Sequence, residues 1–361
     1  MRSAVISDLH LGTRLESDVL RRPEARARLF EALSGADRVV LLGDVLELRQ
    51  RPVAEVLDIA APFLAELGQI LDGRPVTIVP GNHDHQLAGG LLERRRVRGE
   101  SAELGLEERT APDGSEPLST LSELMGGANV TLSYPGLWLR PDVYATHGHY
   151  LDAHLTVPRI ECLAVSVVRR LVGPGPHGGH RPADYERLLG PVYGLAYELA
   201  QAASARGAMA ATDLNLRVWR RIDTGKGMGA MLLGGVAVPA AVGTLNALGL
   251  GPFRARLTSE ELRRAGLEAM GRVVGNLGVE AEHVIFGHTH RPGPLDGEAG
   301  FELPGGGHLT NTGSWIHNPA FGDATLENPY HPGVVVFVDD EGPPRVERVL
   351  SPGDLGDVPW A

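Results

Sequence analysis

Residues 3–10 read Ser-Ala-Val-Ile-Ser-Asp-Leu-His. A short apolar run without charge fits a strand buried on both faces. The Asp-x-His pair that closes it gives the strand a purpose. Alternate residues of an extended segment share a face, so Asp8 and His10 point the same way. The layout recurs along the chain. Arg38–Leu42 is apolar after its first residue and runs into Gly43-Asp44. Pro75–Val79 runs into Gly81-Asn82-His83-Asp84. Val143–Ala145 leads to Thr146-His147-Gly148-His149, and His283–Phe286 leads to Gly287-His288-Thr289-His290. Functional groups of α/β sheets collect beyond the carboxyl ends of strands, so these five clusters are expected to converge. A lone strand-end histidine is usually a capping or surface residue. Five such clusters in one chain point to chemistry.

The segments between these strands read as helices. Arg26–Leu33 has helical spacing, as does Val53–Leu71, with Leu57, Ala60, Ala61, Leu64 and Leu67 on one face. Val130–Leu132, Leu137–Leu139 and Val143–Ala145 read as short strands joined by Gly and Pro turns. From 151 to 275 the pattern is helical, with a Gly/Pro/His loop at 173–182. Strand patterning resumes at His283 and continues through Leu309–Thr312, Gly333–Val338 and Arg345–Leu350. The expected organisation is one α/β core, 1–150 and 276–361, interrupted by a helical insertion or lid at 151–275.

Composition bounds the function. With 361 residues, 43% hydrophobic and 22% charged, the chain is an ordinary globular protein, neither disordered overall nor a small stapled scaffold. A lone cysteine, Cys162, excludes an intramolecular disulfide framework and cysteine-based zinc sites. A net charge of -11 argues against nucleic acid as a partner. Asp8 arrives too early for the apolar core of a secretory signal, so a cytoplasmic location is expected.

Carboxylates and imidazoles together suit borderline divalent metals such as Mn, Fe or Zn. The order Asp-x-His, Gly-Asp, Gly-Asn-His-Asp, His, Gly-His-x-His resembles the calcineurin-like metallophosphoesterase superfamily over 1–150 and 280–317. The resemblance implies a four-layer αββα sandwich of two mixed β-sheets with a mainly helical insertion. It also implies two divalent metal ions, with Mn favoured. Asp8, His10 and His290 would hold the first, Asn82, His147 and His288 the second, and Asp44 would bridge them. Such a pair activates a bridging hydroxide that attacks phosphorus. By the same resemblance, His83 protonates the leaving oxygen or binds the phosphate, and Asp84 orients its ring. His149 is a candidate substrate contact, with a polar loop residue as the plainer reading. Arg94 and Arg95, followed by Arg96 and Arg98, are candidate phosphate contacts, with a solvated helix end as the alternative. His85, His154, His177 and His180 read as loop or surface residues. Asn311-Thr312-Gly313-Ser314-Trp315 reads as structural.

The Asp-Leu-His-Leu-Gly start and the Asn-Thr-Gly-Ser-Trp segment are similar to the UDP-2,3-diacylglucosamine pyrophosphate hydrolase branch. The chain departs from that branch in its larger insertion and in His83, where the branch often carries arginine. Residues 227–253 contain no charge and are long enough to span a bilayer. Asp8 and His10 precede this run while His288 and His290 follow it, so a single crossing would split the site. A buried hairpin broken near Pro239 remains, or an interfacial lid. Arg217, Arg220, Arg221 and Lys226 on one flank, with Arg254 and Arg256 on the other, suit anionic headgroups and a peripheral membrane contact. The expected activity is hydrolysis of a phosphate ester or pyrophosphate in a lipid-linked or other phosphorylated small molecule. The alternatives are a soluble substrate, such as a cyclic nucleotide or phosphoprotein, and a non-catalytic metal-dependent interaction module.

Overall fold

The structure, a computed structural model, describes residues 1–14, 16–155, 168, 181–203, 259–317 and 325–355. The charge-free run at 227–253, and His177 and His180, lie outside the described residues. No described helix is long and apolar enough to cross a membrane.

The buried apolar runs form the centre of a large mixed sheet. β1 (Ser3–Ile6) pairs in parallel with β2 (Arg38–Leu41), and β2 with β3 (Pro75–Ile78). Val5 lies opposite Val40, and Val40 opposite Thr77. β4 (Glu107–Thr110) and β5 (Asn129–Arg140) extend this sheet on one side, β5 parallel to β3 and β4 antiparallel to β5. β9 (Val334–Val338) and β10 (Arg345–Arg348) extend it antiparallel on the other, beside β1. The far half of β5 belongs to a second sheet. There it pairs with β6 (Val143–Thr146), followed by β7 (His283–Phe286) and β8 (His308–Asn311).

Residue alternation shows the layering. Ala4, Ile6, Val39, Leu41, Val76 and Ile78 point into one core, shared with α1 (Pro23–Leu33) and α2 (Val53–Ile70). Val5 and Val40, one position out of phase, point into a second core. Leu137, Leu139, Val143, Ala145 and Ile285 enter that second core from the other sheet. Tyr144, Val284 and Phe286 face outward into a third core. The third core is covered by helices at Pro182–Ala203 and Ser259–Leu277, numbered α5 and α6 after α3 (Gly89–Arg98) and α4 (Glu116–Leu124). Three cores between four layers make the αββα sandwich that the sequence motifs imply.

Two local expectations change. The turn expected between Leu132 and Leu137 does not form, and Asn129–Arg140 is one strand. It pairs with β4 as far as Pro135 and with β6 from Gly136 onward, so it passes from one sheet to the other there. Gly136 permits the passage: a Cβ would lie 2.4 Å from Tyr144 Oη and 2.5 Å from the Ala145 carbonyl. Gly136→Ala is therefore expected to cost about 1–3 kcal/mol through overpacking. Chemical denaturation would register this as a lowered midpoint. The second change is β4, a strand absent from the expected set. Its sequence, Glu-Glu-Arg-Thr, has no apolar alternation to mark an edge strand.

Candidate metal centre

The site forms where the parallel strands end. Asp8, Asp44 and Asn82 follow β1, β2 and β3 of one sheet, and His147 and His288 follow β6 and β7 of the other. The two sheets face each other across the middle core, so these ends meet. The His83 and Asp84 segment lies in the same loop layer. All seven candidate ligands are brought together. Asp8, His10 and His290 form one group, Asp44, His147 and His288 another, and His10, Asp44 and His83 a third that joins them. Ligand atoms within each group lie within 4.8 Å of one another.

The backbone at these positions is unusual. Asp8, His10, Asp44, His288 and His290 all have positive φ, between 45° and 67°. Among the described non-glycine residues only Glu16 shares this conformation. Such residues cost about 1–3 kcal/mol each and persist where the surroundings over-determine them. The surroundings here are carboxylates that staple the loops together. Asp84 accepts the backbone N–H of Asp44 (3.2 Å), Val45 (2.7 Å), Leu46 (3.3 Å) and Gly81 (2.7 Å). Asp8 accepts the N–H of His288 at 3.0 Å, and Asp44 accepts that of His83 at 2.8 Å. Asn311 donates to the Gly287 carbonyl and to Thr289 Oγ1, each at 3.0 Å, and so braces the His288–His290 turn. Gly43, at φ +87°, sits where a Cβ would come within 2.3 Å of His147 Nδ1.

Hydrogen bonds to the outer ring nitrogens set the histidine tautomers. His147 Nδ1 donates to the Leu42 carbonyl at 2.9 Å, leaving Nε2 to face Asp44 Oδ2 at 3.3 Å. His10 Nδ1 lies 3.1 Å from Glu47 Oε2, leaving Nε2 facing His290 Nε2 at 3.1 Å. His288 Nε2 lies 2.9 Å from Asp152 Oδ1, leaving Nδ1 beside Asn82 at 3.0 Å. His290 Nε2 lies 3.1 Å from Asp8 Oδ1. In the neutral rings, lone pairs would therefore converge on lone pairs and on carboxylate oxygens. With its nitrogen turned inward, the Asn82 amide donates to His288 Nδ1 (3.0 Å) and Asp44 Oδ2 (3.3 Å), and its oxygen accepts from Arg49 Nη1 (2.9 Å). A cation among these acceptors would replace that nitrogen, and the amide would present its oxygen instead. The donor set of carboxylate, imidazole and amide oxygen fits divalent cations of the Mn, Fe and Zn type.

Electrostatics agree. Asp8, Asp44 and Glu47 are buried carboxylates, and buried charges are normally paired or coordinate metals. Burial opposes the Asp44 anion, yet the imidazoles of His147, His83 and His10 hold it well below the usual carboxylate range. Burial also works against charge on His147, but Asp44 and Asp8 push that imidazole up to about 10. Glu47 and Asp44 likewise outweigh burial at His10 and push it up to about 9. The centre therefore favours positive charge. Metal ligands must be deprotonated, so a bound cation would displace these protons.

Several expected roles move. Asp84 does not orient His83, because its carboxylate is engaged by four backbone N–H groups; burial and the Asp44 charge push it up to about 6. Glu47 holds the ring instead: His83 Nδ1 lies 2.8 Å from both of its oxygens. His149 is not a substrate contact. It is 1% exposed and packed among Tyr134, Tyr150 and Tyr193. Arg94 and Arg95 are not joined to the centre by any described contact. Arg94 donates to Thr110 Oγ1, and Arg95 to Glu108 and the Glu100 carbonyl. His85, expected at the surface, is buried with Nε2 2.9 Å from Glu186 Oε2. Glu47 and Asp152 are additions that sequence reasoning missed. Glu47 carried a usable signal, a single carboxylate inside the apolar run Val45-Leu46-Glu47-Leu48. His83 and His290 are the more open members of the centre, with side chains 17% and 20% exposed, so its mouth lies on their side.

The pattern of the calcineurin-like phosphoesterase family matches residues 1–181. No curated protein matches the chain. Among solved structures, a dimetal phosphatase from Danio rerio is 12% identical, aligned over 97% of each chain with a TM-score of 0.38.

Proposed function

The chain belongs to the calcineurin-like phosphoesterase family, and from that premise we propose that it cleaves a phosphate-ester or pyrophosphate bond of a lipid-linked substrate, with manganese as its preferred metal. The observation that carries the reading is the set of outer-nitrogen hydrogen bonds, which turn one nitrogen each of His10, His147 and His288 inward as a ligand once any proton on it is displaced. Asp8, His10 and His290 would hold one cation, Asn82, His147 and His288 the other, and Asp44 would serve both. When bound, two such cations acidify a water and withdraw charge from the phosphoryl oxygens.

The chain's own groups supply the rest. Glu47 stays ionised, because His83 and His10 offset its burial and hold it below the ordinary range. Its oxygens accept His83 Nδ1–H and fix the ring, which leaves Nε2 as the atom that hands a proton to the departing oxygen. Asp44 accepts the His83 backbone N–H at 2.8 Å and so keeps proton donor and ligand in register. No side chain is needed as nucleophile. Dialysis against a chelator is expected to lower hydrolysis of bis-p-nitrophenyl phosphate at least about hundredfold, and added Mn²⁺ to restore it. Activity that persists in the chelator would overturn the mechanism.

The lipid-linked substrate is supported by the charge-free run at 227–253 and its basic flanks. Vesicles containing anionic lipid should co-sediment the protein, and Leu232→Ser with Leu233→Ser should weaken that binding. Protein that stays in the supernatant with every vesicle tested would favour the soluble substrate instead.

A further inference from the structure

Asp152 lies in the turn at His149–Ala153, just beyond His147, and is 4% exposed. Its Oδ1 sits 2.9 Å from His288 Nε2. The two nitrogens of an imidazole point in divergent directions, and the other one, Nδ1, faces Asn82. Asp152 therefore cannot share a cation held at Nδ1, and it stands outside the clustered ligand atoms. It can hold the Nε2 proton, and with it the tautomer and ring plane of His288.

Asp152 is itself held from outside the core strands. Tyr193, on α5, directs its hydroxyl between the His149 carbonyl at 3.3 Å and Asp152 Oδ2 at 3.4 Å. One side of the same helix carries Glu186. Its carboxylate receives the Tyr134 hydroxyl at 2.5 Å and the Tyr150 hydroxyl at 2.6 Å, with His85 Nε2 at 2.9 Å. Tyr150 belongs to the Asp152 turn, and His85 directly follows Asp84. One helix thus grips both loops that approach the second group of ligands.

We infer that Asp152 is a positioning residue for His288, and that α5 sets the second cation site through Tyr193 and Asp152. The inference rests on the two-cation reading above. A carboxylate on the far nitrogen of a ligating histidine orients the ring and raises its basicity, and its loss weakens metal affinity about 10–100-fold. Tyr193→Phe removes only one hydroxyl, two hydrogen bonds away from the His288 ring, so its effect should be smaller.

Mn²⁺ binding to the full-length protein by titration calorimetry tests this, with melting temperature as the fold control. Wild type should bind two Mn²⁺; if it does not, the two-cation reading fails before Asp152 is at issue. Asp152→Ala should weaken one binding step about 10–100-fold while leaving the other within twofold. Its kcat should recover at saturating Mn²⁺. Tyr193→Phe should weaken the same step by about threefold. Should Asp152→Ala fail to fold, Asp152→Asn keeps an acceptor for His288 Nε2–H and should weaken that step about tenfold. Two wild-type binding steps in every folded Asp152 variant would overturn the inference, as would equal weakening of both.

Discussion

Asp44→Asn is expected to lower kcat by at least about 10³-fold and to reduce bound Mn²⁺ from two ions toward one. The change is nearly isosteric and leaves an oxygen for the His83 N–H now accepted at 2.8 Å. The fold should therefore survive. What disappears is the anion on which the centre converges. Asp44 Oδ2 lies 3.3 Å from His147 Nε2 and 3.7 Å from His10 Nε2, one from each ligand group. A neutral amide cannot balance two dications, and excess metal should not restore kcat. Elemental analysis beside steady-state assay would check both halves. A variant that keeps two ions and more than a tenth of wild-type activity would remove Asp44 from its bridging position.

His83→Gln is expected to lower kcat about 10²–10⁴-fold on alkyl phosphate esters while leaving two ions bound. The loss should shrink on p-nitrophenyl esters, whose leaving group departs without a proton. That dependence separates a proton donor from a ligand, because loss of a ligand would slow both substrates and release metal. Glu47→Gln should be milder on metal-saturated enzyme, about 10–100-fold, since the amide still accepts from one ring while the carboxylate's charge is lost. It differs from His83→Gln in a second respect. Glu47 also fixes His10 Nδ1 at 3.1 Å, so its replacement should raise the Mn²⁺ concentration needed for half-maximal rate. Leaving-group independence in His83→Gln would contradict the proton-donor role.

The fold was legible in the sequence because its decisive strands are buried on both faces. Val5 and Val40 enter one core while Ala4, Ile6, Val39 and Leu41 enter another, which leaves the uninterrupted apolar runs that mark parallel strands. The ligands were legible because they directly follow those runs. β4 was not, since an edge strand of polar residues has no periodic signature. The groups behind the ligands were harder still. Glu47 and Asp152 act through contacts with histidines far away in sequence, at separations of 36 and 136 residues. Asp84 sits beside His83 in the chain, and adjacency suggested a partnership. In the loop, however, its carboxylate turns to the backbone of residues 44–46. Adjacent side chains on a tight turn diverge, and the sequence alone does not show which way.

The long reach of the chain also bears on its birth. Asp8 and His290 belong to one ligand group, and β1 is completed on its outer edge only by β9. During synthesis the ribosome must add the intervening residues before the two halves can meet, on the order of half a minute at about 10 residues per second. For that interval the nascent chain carries an uncovered strand edge, and only part of the metal-binding constellation has been made. Asp44, Asn82 and His147 emerge early and His288 late. Hydrolytic competence is thus withheld until residues 288–290 have been made, and the exposed edge of β1 is where a nascent-chain chaperone would have most to protect.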